Sequence, residues 1–101
     1  MSGNRAAIRY AKAVLQQAKE GGVVDTVFGD MQDVFNTIKA NKELQHVLKS
    51  PLIKANDKKE ALLNIFEDRS KEIKSLIGVL IDNQRTQLLT DVSRNFIDLY
   101  N

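Results

Sequence analysis

A chain of 101 residues, 43% hydrophobic and 28% charged, is long enough for one domain with one modest core, and its composition argues against disorder. It has no cysteine, which excludes a disulfide framework and a thiolate metal site. Its longest apolar run, Leu76 to Ile81, is far short of the ~20 residues a membrane span needs, and no signal-peptide or transit-peptide pattern opens it. The net charge of +2, from 15 basic and 13 acidic residues interleaved along the chain, does not argue for nucleic acid.

Apolar residues recur every three or four positions, so the helical template fits nearly throughout, and no stretch alternates as a half-buried strand does. The first helix is expected from Arg5 to Glu20. Ala7, Ile8, Ala11, Val14, Leu15 and Ala18 form its core face, opposite Arg5, Arg9, Lys12, Gln16 and Lys19. Gly21-Gly22 ends it, because glycine accepts the left-handed conformation of a helix C-terminus. The second helix, Val24 to Ala40, carries Val24, Val27, Phe28, Met31, Val34, Phe35 and Ile38 on one stripe. Asn41 stops it and can cap a short third helix, Lys42 to Lys49, which presents Leu44, Val47 and Leu48. Ser50-Pro51 closes that helix, since the residue before proline disfavours helical torsions. Leu52 and Ile53 are expected to pin the loop to the core. Asp57 and Glu60 have capping-box spacing and open a fourth helix with Leu62, Leu63, Ile65 and Phe66. A fifth helix is expected from Ser70 to Asn83. A sixth, from Thr86 to Tyr100, buries Leu89, Val92, Phe96 and Leu99. The fold class is all-α, a six-helix bundle forming a single compact domain over residues 1–101, with loops short enough to keep neighbours packed. The last helix runs to Asn101 without a cap, as though the chain were cut at a domain boundary.

The residues offer no catalytic constellation. His46 stands alone, where a metal site needs two or three partners at defined spacing. Gly21-Gly22 lacks the spacing and the preceding strand of a phosphate loop. No nucleophile-elbow motif holds the serines, and no cofactor is implied. The chain is read as non-enzymatic.

Two surface features say more. At 100° per residue, Ala6, Tyr10, Ala13 and Gln17 line up on the first helix, between its core face and its basic face. An aromatic flanked by small residues allows close approach of another helix; the same stripe would also serve packing inside the bundle. On the fifth helix, Ile73, Leu76, Ile77 and Leu80 mark the core direction, and Val79 and Ile81 widen the apolar arc on both flanks. Such a helix is either central or shared with a partner.

The run Arg9-Tyr10-Ala11-Lys12-Ala13-Val14-Leu15, with Ala18, resembles the start of the ATP synthase δ subunit, whose mitochondrial counterpart is the oligomycin-sensitivity-conferring protein. Further matches follow in order: Asp30-Met31, Ser50-Pro51-Leu52-Ile53, Lys59, Leu62-Leu63 with Ile65-Phe66, Leu80-Ile81, Asn83 and Arg85, Leu88 or Leu89, Val92, Phe96, and Leu99-Tyr100. The family often has Asn-Gly-Arg after the fifth helix. Here the run is Asn83-Gln84-Arg85, and Asn83 is expected to take the left-handed position.

The resemblance covers the family's N-terminal domain and implies its six-helix bundle. It implies a stator role: a groove between the first and fifth helices holds the N-terminal helix of an F1 α subunit. A C-terminal domain, absent here, binds the b subunits of the peripheral stalk. The matching groove positions are Tyr10, Ala13 and Val79, with Ala6, Val14 and Asn83 as neighbours. It also implies a peripheral location on the membrane-bound ATP synthase, without membrane insertion; the missing transit-peptide pattern points to the cytoplasmic face of a bacterial plasma membrane. Two other readings remain. One is an RNA-binding bundle like the transcription antitermination factors, using the basic face of the first helix on phosphate. The other is a generic helical adaptor.

Overall fold

Helix α1 (Arg5–Glu20) ends where Gly22 turns left-handed, at φ 67°. The Gly22 N–H then donates to the Lys19 carbonyl and the Val23 N–H to the Ala18 carbonyl, at 3.2 and 2.9 Å. These two bonds satisfy carbonyls that the helix itself cannot, and they turn the chain into α2 (Val24–Ala40). The computed structural model describes residues 5–101. The reading that no targeting segment opens the chain falls in part on residues 1–4, outside the described ones.

Asn41 ends α2 in an extended conformation, and its side chain accepts the Leu44 N–H at 3.0 Å, capping α3 (Lys42–Lys49). Ser50 is extended before Pro51, as proline requires. The following residues depart from expectation. The Ser50 hydroxyl accepts the Leu52 N–H at 3.2 Å, and the resulting turn directs the Leu52 side chain outward, 91% exposed. Ile53 alone of the pair is half-buried.

Helix α4 (Ala55–Ile65) begins two residues before Asp57, so Asp57 is not its cap. Lys54 holds the cap position without a side-chain bond, and its carbonyl accepts the Lys58 N–H at 3.0 Å. A tertiary tie supports this earlier start: Lys58 Nζ donates to Thr86 Oγ1 at 3.2 Å. Asp57 instead lies in the first helical turn, where a carboxylate complements the helix dipole. Leu62 and Phe66 are buried, while Ile65 faces out.

Helix α5 (Lys71–Asp82) matches the expected span, with Ser70 and Asn83 as its flanking residues. The left-handed residue after it is Gln84, at φ 57°, and not Asn83, which sits at φ −90°, ψ 3°. Gln84 therefore stands where the family's glycine does. Its N–H donates to the Ile81 carbonyl at 3.0 Å and the Arg85 N–H to the Leu80 carbonyl at 2.7 Å. This repeats the bond pattern at Gly22 with a residue that bears a β-carbon. A 3-10 turn over Thr86–Leu88 then leads into α6 (Leu89–Tyr100). Thr86 is buried because its hydroxyl donates to the Leu48 carbonyl at 2.8 Å, and this holds the entry to α6 in a tight turn where a regular helix was expected.

The fold is an all-α bundle of six helices, with no strand among the described residues. Helix α6 packs chiefly on α1 and α2, while α5 packs on α4 and, more lightly, on α1 and α2. Phe66, Phe96, Met31, Ile38, Leu48 and Leu62 are the largest of the fully buried side chains. The expected burial of Leu99 is not found. It lies in the last turn of α6 on a side turned away from the core, and is exposed. Its neighbour Tyr100 takes the apolar contact instead, stacking on Phe28 with ring centroids 3.8 Å apart.

Candidate partner-binding seam between α1 and α5

Ala7, Ala11, Val14 and Ala18 are the buried residues of α1, and three of the four are alanines. Small side chains let neighbouring helix backbones come close, so α1 can lie tightly on the bundle while its adjacent stripe stays at the surface. On that stripe Ala6 and Tyr10 are half-buried, and Ala13 and Gln17 are exposed. On α5 the apolar arc divides. Ile81 turns into the core with Ile73, Leu76, Ile77 and Leu80, whereas Val79 remains 45% exposed.

Two observations fix how the helices are aligned. The Asn83 side-chain amide donates to the Tyr10 hydroxyl at 2.7 Å. Eleven residues further along α1, a β-carbon on Gly21 would lie 3.9 Å from Glu72 Oε2, eleven residues back along α5. The helices therefore run antiparallel, and the register sets Ala13 and Val14 level with Val79 and Leu80. The turn after α5 aims Asn83 at Tyr10, because the paired bonds made by Gln84 and Arg85 hold Asn83 at the end of the helix.

Of the six expected site residues, four share this seam at or near the surface, Tyr10, Ala13, Val79 and Asn83; Ala6 continues the α1 stripe one turn past Tyr10, where the register runs beyond the end of α5. Val14 is not at the surface. It is 4% exposed and belongs to the core beneath. The seam presents methyl groups, an aromatic ring and a valine face, with one polar bridge at its end. Tyr10 uses its oxygen as acceptor toward Asn83, which leaves the phenol proton to donate outward.

Other features lie away from the seam. A hollow of about 800 Å3 opens between the loop after α3 and the 3-10 turn, lined by Lys49, Lys54, Lys58, Thr86 and Asp91 among others. None of the six expected residues lines it. His46 is exposed, and no group of three potential metal ligands exists among the described residues. No described helix is long and apolar enough to cross a membrane. Residue patterns alone missed Glu72, which is buried at the far end of the seam. The signal was present in its helical angle, between those of Leu76 and Val79.

A family model described as the ATP synthase delta (OSCP) subunit matches residues 6–101. "ATP synthase subunit delta" of Christiangramia forsetii is 41% identical over 101 residues, covering 100% of this chain and 55% of that protein. The protein of the same name from Flavobacterium psychrophilum is 36% identical, covering 99% and 56%. The one from Bacillus thuringiensis is 35% identical, covering 100% and 56%. The chain thus spans about half the length of the curated relatives it matches.

Proposed function

Because the chain belongs to the ATP synthase delta (OSCP) subunit family, we propose that it is the F1-binding part of the stator: the α1/α5 seam receives the N-terminal helix of an F1 α subunit. The observation that carries this reading is the pairing of exposed Ala13 with 45% exposed Val79 on two adjacent helices, closed at one end by the Tyr10–Asn83 bond. An apolar strip of this kind matches one face of an amphipathic helix. The part it plays is mechanical and requires no catalytic group or cofactor: it holds the F1 head to the peripheral stalk against the torque of rotation. In the proposed assembly the b subunits of the stalk bind a further domain, and the complex sits at the cytoplasmic face of a bacterial plasma membrane. Family membership favours this reading over an RNA-binding bundle.

Binding would be driven by burial of the apolar face, so salt should weaken it little. Calorimetric titration with a peptide of the cognate α subunit's N-terminal ~20 residues, a length typical of such helices, should give saturable one-to-one binding that persists at high salt. A folded domain that does not bind the peptide contradicts the proposal. Binding to RNA instead, falling steeply with salt, would favour the antitermination-like reading.

A further inference from the structure

Glu72 is 7% exposed, the one acidic residue among the buried ones described. It lies in the first turn of α5, on the side facing α1, with Oε2 against the turn at Gly21. No hydrogen bond or ion pair to its carboxylate is found among the described residues, and the ion pair of that set joins Arg69 to Asp33 elsewhere. The stem of Glu72 is covered, but its oxygens are not among the fully buried polar atoms that lack a partner, so the carboxylate keeps an opening to solvent through which a cation can reach it; a largely covered charge is ordinarily paired. The positive end of the α5 dipole favours the charge. That does not account for the side chain's placement against the C-terminal end of α1, where the dipole is negative. Two sources of negative potential meet there, at the end of the seam opposite Tyr10 and Asn83.

We infer that Glu72 is a receptor for a cation carried by the occupant of the seam: a lysine or arginine side chain of the bound helix pairs with its carboxylate and sets the direction and register of that helix. The inference rests on the reading of the seam as a helix-binding site. The apolar strip alone is tolerant of sliding by one turn and of reversal, because methyl groups and a valine face do not distinguish the ends of a helix. A single largely covered carboxylate at one end does. The Tyr10 hydroxyl, at the other end, offers a donor in place of an anion. The two ends of the seam therefore ask for different chemistry: an acceptor near Tyr10 and a cation near Glu72.

The test is a double-mutant cycle by calorimetry. The unaltered protein and Glu72→Gln, which keeps the side-chain volume, are each titrated with the α-subunit N-terminal peptide. Both are titrated again with versions in which one lysine or arginine at a time becomes norleucine. One replacement should weaken binding to the unaltered protein about tenfold. Glu72→Gln should show the same loss with the original peptide and no further loss with that replacement. The peptide arm needs no change to the protein, so it stands even where Glu72→Gln unfolds. Equal affinities for all peptides, losses that multiply independently, or a cognate helix without any basic residue would overturn the inference. An Ala13→Glu variant separates this from failure of the seam itself. If Ala13→Glu loses the peptide while Glu72→Gln binds as the unaltered protein does, the seam stands and the role of Glu72 falls. If the unaltered protein does not bind, both fall.

Discussion

The side-chain amide of Asn83 donates to the hydroxyl of Tyr10 at 2.7 Å, across 73 residues of sequence, and so ties the end of α5 to the middle of α1. The bond is at the surface, where water competes for both groups. A net contribution at the low end of the usual ~0.5–1.5 kcal/mol follows. Tyr10→Phe and Asn83→Ala should each lower stability by about that amount, and the double variant should cost no more than either alone. Urea unfolding of the four proteins checks this. Strictly additive losses would show that the two side chains do not interact in solution.

Gln84 holds a left-handed conformation at φ 57° that a β-carbon disfavours. Left-handed torsions cost an ordinary residue roughly 1–2 kcal/mol, and glycine escapes this at the expense of a freer unfolded chain. Gln84→Gly should therefore raise the unfolding free energy, by up to about 1 kcal/mol. Gln84→Val should lower it, since a branched side chain fits that region worst. A Gln84→Gly variant less stable than the parent would mean that the turn is not left-handed at this residue.

Much of the fold was legible because its signals are local. Gly21-Gly22, Asn41 and Ser50-Pro51 stop or cap helices through their own torsions and side chains, and the apolar periodicity located every helix. The misplaced features depend on distant partners. Asp57 has the spacing of a cap, but Lys58 reaches Thr86 and α4 starts earlier. Leu52 is apolar yet points outward, because the Ser50 hydroxyl shapes the turn. On α1, the stripe of Ala6, Tyr10 and Ala13 follows from helix geometry alone. The depth of Val14 follows from it too, since its helical angle falls on the core face. The side of α5 on which Glu72 lies also follows from its helical angle, but the Tyr10–Asn83 bond and the placement of Glu72 against Gly21 do not, for both need the register of two helices far apart in sequence.

Leu52 and Phe96 make a contrast that tests the core. Phe96 is fully buried, and Phe96→Ala should cost about 3–5 kcal/mol. Leu52→Ser should stay within about 0.5 kcal/mol, because a side chain that exposed has little to lose. Thermal denaturation of both variants is sufficient. A large loss for Leu52→Ser would place that side chain in the core after all.

The Tyr100 hydroxyl donates to Asp25 Oδ1 at 2.6 Å. That bond, then partial burial, then the charge of Asp25 raise the phenol above its ordinary value near 10. The folded state thus holds its proton more tightly than the unfolded chain. The contribution of this contact to stability is fully present below pH 10 and disappears as the pH rises through the folded value. Ultraviolet titration should show a tyrosine ionising above the normal range, and Asp25→Asn should return it toward normal. A titration identical in the two proteins would rule out the contact.

The central claim is that the α1/α5 seam is the surface that receives the partner helix, and Ala13 tests it most directly. Its side chain is a single exposed methyl in the middle of the seam, so Ala13→Glu adds a charge there without disturbing the core. Calorimetric titration of this variant with the α-subunit N-terminal peptide should show binding weakened by at least about tenfold, the scale of a charge forced into an apolar contact, with the thermal midpoint of the domain unchanged. Undiminished affinity in the folded variant would contradict the account and place the partner on another face of the bundle.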